Sequence, residues 1–253
     1  MNAMEKLVYC QSSRPSAKFN LFCFPWLGGG SLFYAKWWQI LPESIEVNSI
    51  RLPGRESRYK DDLYIDIEVA KYDICNTLLP KLKEKPFLFF GHSLGALVSY
   101  AVATHLKEHH NMEPQHLIVS GTSCPQSPTR KESGVKWSTL TDDEFIDHLS
   151  KLGGTPPEVL AHRDLMKMSM EACKRDSHLL ENYEKYVPLS AILTCPISFF
   201  DGDKDKKHDY EGWGDLTKGS FSSQILPGGH FYLHEDINSR KIAGHIIQAN
   251  ITS

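Results

Sequence analysis

A chain of 253 residues with 41% hydrophobic and 23% charged positions carries enough apolar material for a sizeable core and matches the size of one α/β domain. Its net charge of −3 excludes the strong positive field that nucleic acid or an anionic membrane surface would call for, and no apolar run approaches the roughly 20 residues of a stable membrane insertion. The six cysteines, at 10, 23, 75, 124, 173 and 195, show no Cys-x-x-Cys spacing, which argues against a zinc ribbon or a dithiol redox motif; they are expected to be reduced and to pack as small hydrophobes.

The first fifteen residues, MNAMEKLVYCQSSRP, contain no basic region followed by an apolar stretch, so no secretory signal is read and a cytoplasmic (cytosolic) protein is expected. Leu7–Tyr9 reads as a short first strand and Ser12–Lys18 as a polar turn. Phe19–Phe24, FNLFCF, is a buried-type strand that ends at Pro25 and opens into Trp26, Leu27, Gly28, Gly29 and Gly30. Three successive glycines after a strand imply a loop whose backbone comes close to another group. The lysine and Ser/Thr of a Walker loop are missing, which leaves half of an oxyanion hole as the better reading. Ser31–Leu41 reads as helix and Ile45–Leu52 as a strand stopped by Pro53 and Gly54. Arg51, Arg55 and Arg58 read as a solvated charged face. Apolar residues at 67, 70, 74, 78 and 82 predict a helix over Asp66–Lys83.

The next stretch, FLFFGHSLGALVSY from Phe87 to Tyr100, carries the chemistry. An apolar strand, then Gly91-His92-Ser93-Leu94-Gly95, then a helix is the context of a nucleophile elbow, in which a serine sits on a sharp turn above the sheet edge. The helix beginning there aims free N–H groups at the place where negative charge would develop. Leu117–Ser120 predicts another strand, so strands and helices alternate as in a mostly parallel sheet covered on both faces. Between about residues 125 and 190 the pattern is helical, with a capping signal at Thr141–Glu144, a stop at Gly153 and Gly154, and a new start at Thr155, Pro156 and Pro157. This insertion is expected to be a helical lid on a single domain spanning 1–253.

Ile197–Phe200 resumes the sheet and is followed by Asp201, Asp203 and Asp205. Glu211–Lys218 reads as helix, Ser223–Leu226 as the last strand, and Asn238–Ala249 as a closing amphipathic helix. A serine needs a base and an orienting carboxylate, which α/β-hydrolases supply in the chain order Ser, Asp, His. Of twelve histidines, His230 stands in a glycine-bounded loop directly after the last strand. His92 is read as pointing elsewhere on the turn, and His105, His109, His110 and His116 as surface or helix positions. Spacing leaves Asp201, Asp203 and Asp205 equally eligible.

FPWLGGG, RLPGRESR, FFGHSLGAL, LSKLGGTPPEVL and LPGGHFYL together resemble the type II thioesterases of fatty acid, polyketide and nonribosomal peptide synthesis, most of all the animal medium-chain fatty acid synthase branch. The resemblance implies an α/β-hydrolase fold and a G-x-x-D turn, here Gly202–Asp205, that selects Asp205. It implies backbone N–H donors at Leu27 and Leu94; many relatives carry alanine where Leu27 stands. The implied reaction is hydrolysis of medium-chain fatty acyl thioesters on the acyl carrier protein of fatty acid synthase through Ser93, His230 and Asp205. Editing of polyketide or peptide synthases and carboxylesterase action are the alternatives. No metal or cofactor is called for, phosphopantetheine belonging to the substrate. A monomer is expected, with a basic surface near the pocket mouth to meet an acidic carrier.

Overall fold

The computed structural model describes residues 1–130, 136–153, 162–183 and 190–251. In chain order the main elements are α1 (Ala3–Leu7), β1 (Val8–Tyr9), β2 (Phe19–Phe24), α2 (Leu32–Ala35), β3 (Ile45–Ile50), α3 (Ile67–Leu82), β4 (Phe87–His92), α4 (Leu94–His110), β5 (His116–Ser120), α5 (Asp142–Leu152), α6 (Arg163–Glu181), β6 (Ile197–Gly202), β7 (Phe221–Leu226) and α7 (Asp236–Ile251). The seven strands form one sheet in the order β1-β3-β2-β4-β5-β6-β7. All neighbours are parallel except β1, which pairs antiparallel with β3. This is the α/β-hydrolase arrangement expected from the alternating strand and helix signals.

Central strands β2, β4 and β5 are mostly apolar and buried along nearly their whole length because helices cover both faces. On one face α3 and α4 pack through Ile74, Leu78, Leu97 and Val102 onto Phe22, Phe89 and Val119. On the other, Tyr34, Trp37 and the α7 residues Ile242 and Ile246 meet Leu21, Phe90, Ile118 and Phe200. A third, smaller cluster joins α5 and α6 through Phe145, Ile146, Met166 and Met170, with Leu27 packed against it.

The register lines up the carboxyl ends of the strands: Phe24 pairs with Gly91, His92 with Ser120, and Gly202 with Leu226. The loops that leave these ends are the ones that carry Leu27, Ser93, Asp205 and His230. Sequence separation of more than two hundred residues is therefore closed by topology, with ligands expected at this rim.

Several local expectations are corrected. Leu7 ends a helix instead of opening a strand, because Asn2 and Glu5 form a reciprocal capping box that nucleates α1. The segment from Ser31 is a single α-turn followed by a 3-10 turn over Lys36–Gln39, cut short before Pro42. Glu211–Leu216 is likewise 3-10, and β7 starts two residues earlier, at Phe221. The capping box of Thr141 with Glu144 and the stop at Gly153 are present. Gly154 and the helix start at Thr155, Pro156 and Pro157 lie outside the described residues.

Candidate active site

Ser93 joins β4 to α4 with φ 54° and ψ −117°, a conformation that costs a non-glycine residue about 1–3 kcal/mol. Tight packing enforces it. A β-carbon on Gly91 would lie 2.2 Å from the Gly95 carbonyl oxygen, and one on Gly95 would lie 2.1 Å from that of Phe24. Helix and strands thus approach at backbone contact, and the Ser93 N–H donates to the Ser120 carbonyl at 2.7 Å. Leu94, the first residue of α4, presents an N–H at a helix start.

The glycine loop after β2 turns tightly. Gly29 N–H donates to the Trp26 carbonyl at 2.9 Å, and Gly28 sits at φ +71°. Glu56 anchors the far end, accepting from the Ser31 N–H at 2.7 Å and its hydroxyl at 2.5 Å while pairing with Arg51 at 2.8 Å. Arg58 is buried against Tyr64, Asp61 and Asp73. The three arginines are therefore ion-paired and largely buried and not a solvated face: Arg51 meets Glu56, Arg55 meets Asp176, and Arg58 meets Asp61 and Asp73.

The aspartate cluster separates by partner. Asp205 meets His230, Oδ2 to Nδ1, at 2.7 Å. Asp203 accepts from the Gly228 N–H at 2.8 Å and so fixes the loop that carries His230. Asp201 holds His208 Nδ1 at 2.7 Å, and His208 Nδ1 lies 4.0 Å from Asp205. Burial pushes the Asp205 carboxyl up, but the hydrogen bond and charge of His230, the charge of His208 and the Lys206 N–H outweigh it and hold it below the ordinary carboxylate range. An ionised carboxylate only accepts, so the proton on His230 sits on Nδ1 and leaves Nε2 to act as a base. Asp201, Asp205 and His208 are also grouped closely enough for a cation. Their mutual pairing and the Asp205–His230 bond already occupy those atoms, so a metal would compete with His230.

Ser93, Leu27 and His230 line one cavity of about 500 Å³. Its wall is mostly apolar, with Trp26, Trp137, Leu149, Leu152, Leu180 and Phe231, while Arg130, Lys206 and Lys207 supply positive charge. Leu149 and Leu152 come from α5 and Leu180 from α6, so the helices between β5 and β6 form one side of it.

Three further histidines are buried: His92, read as pointing elsewhere on the turn, and His105 and His116, read as surface or helix positions. His92 is fully buried, 4.9 Å from the His230 ring, and bonds through Nδ1 to Ser120, which in turn meets the Tyr232 hydroxyl at 2.6 Å. Burial, followed by the charges of His230, His234 and His208, pushes its pKa well down. His105 and His116 are buried too, the latter because β5 is covered on both faces. Nothing in the sequence pairs His208 with Asp201, or points to Asp176, which reaches this region from α6.

Residues 19–249 match the thioesterase domain family. The chain belongs to the thioesterase family. Among curated relatives, the thioesterase is 39% identical to the medium-chain S-acyl fatty acid synthase thioesterase of Rattus norvegicus, covering 96% of this chain and 92% of that one. It is 35% identical to gramicidin S biosynthesis protein GrsT of Aneurinibacillus migulanus, over 87% and 85% of the two chains. Among solved structures, RedJ, a thioesterase from the prodiginine pathway of Streptomyces coelicolor, superposes with a TM-score of 0.83 at 27% identity, over 94% and 92% of the chains. The protein is accordingly a thioester hydrolase.

Proposed function

We propose that the enzyme releases free fatty acids from medium-chain fatty acyl thioesters carried on the phosphopantetheine arm of a fatty acid synthase acyl carrier protein. Ser93 Oγ attacks the thioester carbonyl while His230 Nε2 takes its proton. The C–S bond of the tetrahedral intermediate breaks, the departing sulfur receives that proton, and an ester to Ser93 remains. Water, losing its proton to the same nitrogen, repeats the attack and frees the acid. Asp205 orients His230 and stabilises the imidazolium. The N–H groups of Leu27 and Leu94 hold the oxyanion, each worth roughly 3 kcal/mol in comparable sites. The observation that carries this reading is the 2.7 Å Asp205–His230 pair on the cavity that the strained Ser93 also lines.

The apolar wall suits an acyl chain, and Arg130, Lys206 and Lys207 suit the phosphate of a carrier arm. Helices α5 and α6 act as the lid that closes over the chain. A cytosolic monomer without metal or redox cofactor fits this task. Among the described residues no helix is long and apolar enough to cross a membrane.

Two measurements test the proposal. Ser93→Ala should abolish release of free acid from acyl carrier protein; retained full turnover would refute it. A hydrolysis profile from acetyl to stearoyl, on carrier protein and on matched oxygen esters, should peak at medium-chain thioesters. The likeness to a gramicidin S biosynthesis protein favours one second reading, removal of stalled groups from a peptide or polyketide synthase. A peak at acetyl or aminoacyl carriers would select it.

A further inference from the structure

The loop after β2 contains successive N–H groups, and its backbone dihedrals decide which of them faces the cavity. What fixes them comes largely from outside the loop. Asp176, on α6 and 4% exposed, accepts the Gly28 N–H through Oδ2 at 3.0 Å. The same oxygen receives Arg55 Nη2 at 2.7 Å, and Arg55 Nη1 donates to the Gly29 carbonyl at 3.1 Å. Arg55 and Asp176 therefore grip the N–H of one glycine and the carbonyl of the next from opposite chain segments. Helix and loop are also in direct contact, since a β-carbon on Gly28 would sit 3.0 Å from Cys173 Sγ.

This grip decides which N–H is available. With Gly28 N–H bound to Asp176 and Gly29 N–H to Trp26, the Leu27 N–H is left without a protein acceptor among the described residues. Leu27 itself lines the cavity with Ser93.

We infer that Asp176, together with Arg55, is a positioning residue for the oxyanion loop: the lid helix holds Gly28 so that Leu27 N–H faces the reacting carbonyl. The inference rests on the proposed serine mechanism and deepens it, because α6 then does two tasks. Ser177, Leu180 and Glu181 wall the cavity, and Asp176, one residue before Ser177, sets the donor. Removing Asp176 leaves a buried N–H unsatisfied and Arg55 uncompensated, so the turn is free to relax. A donor displaced by a fraction of an ångström still permits substrate binding but no longer meets the oxyanion, so the loss belongs to kcat.

The test measures kcat, KM and the rate of Ser93 phosphonylation by a fluorophosphonate, whose phosphoryl oxygen needs the same donors, with thermal melting as a check of folding. Asp176→Ala should lower kcat and phosphonylation about 100-fold with KM within about threefold, in line with loss of one oxyanion donor. Asp176→Asn keeps an acceptor for Gly28 but not the ion pair, and should recover roughly tenfold of that loss. Asp142→Ala, which removes a partly exposed ion pair from α5 to Lys174 on α6, should behave as wild type. If Asp176→Ala does not fold, the split in Asp176→Asn decides. Unchanged kcat, or a raised KM with kcat intact, overturns the inference. A wild-type chain that neither hydrolyses thioesters nor reacts with the phosphonate removes the serine mechanism, and this inference with it; an active wild type with unaffected variants removes this inference alone.

Discussion

Asp205 shows how much one side chain does by where it points. Its Oδ2 holds His230 and its Oδ1 accepts the Lys206 N–H at 2.7 Å, so the carboxylate is oriented before any substrate arrives. Asp205→Asn keeps the shape but presents an amide to Nδ1, which either loses the bond or flips the imidazole to the unproductive tautomer. In a serine triad that change lowers kcat by about 10⁴, and steady-state kinetics on an acyl thioester at neutral pH should show a drop of that order. A loss of less than about tenfold would move the orienting role to another carboxylate, Asp201 through His208 being the nearest. The choice among the three aspartates was legible only through family likeness. Spacing puts all three in one loop, whereas their partners, His208, Gly228 and His230, are set by how β6 and β7 bring their ends together.

At the scale of elements, the β4–α4 junction was legible because a strand, a glycine-bounded serine and a helix are all local signals. Its tolerance to change is set by contacts that are not local. Gly95→Ala would drive a methyl group into the Phe24 and Pro25 carbonyls, atoms of backbone that cannot swing away. The expected cost is about 3 kcal/mol or more, read by chemical denaturation, with activity lost in the fraction that still folds. A cost below about 1 kcal/mol would mean that helix and strand are less closely apposed.

The edge of β3 offers a test with pH. Glu46, 4% exposed, accepts from Lys81 at 2.8 Å and from the Arg14 N–H at 2.6 Å. Burial pushes its carboxyl up, but the Lys81 bond and charge and the Arg14 and Ser13 donors bring it below its ordinary value of 4.5. Ionised Glu46 therefore stabilises the fold above that value, and the contribution is lost as pH falls through the lowered one. Glu46→Gln should cost about 1–3 kcal/mol at pH 7, with the gap to wild type closing in acid. A gap that stays constant with pH would show that the charge contributes nothing.

Across the whole molecule, the sheet converts distant sequence into one rim. The α/β-hydrolase architecture, the serine turn and the histidine loop were readable because each is a run of adjacent residues with a period or a turn signature. The support of the glycine loop was not. Arg55 lies 26 residues from Gly29, and Asp176 lies 148 residues from Gly28 on a helix whose polar positions look solvent-facing. Arg55 and Arg58 read as part of a surface cluster for the same reason: Asp176 and Asp73 are brought to them by packing, and no period reports those partners. His116 read as a surface or helix position because histidine is usually exposed, yet parallel strands covered on both faces bury every side chain they carry.

The central claim is that Ser93 becomes covalently acylated by a thioester and is freed by water through His230. Its most direct test is to mix the enzyme with a medium-chain acyl-pantetheine thioester, quench in acid within one turnover, and map the acyl mass by peptide mass spectrometry. The acyl group should be found on Ser93 in the wild type and be absent from Ser93→Ala. Steady hydrolysis with an unmodified Ser93 peptide, or an acyl mass on any other residue, would contradict it.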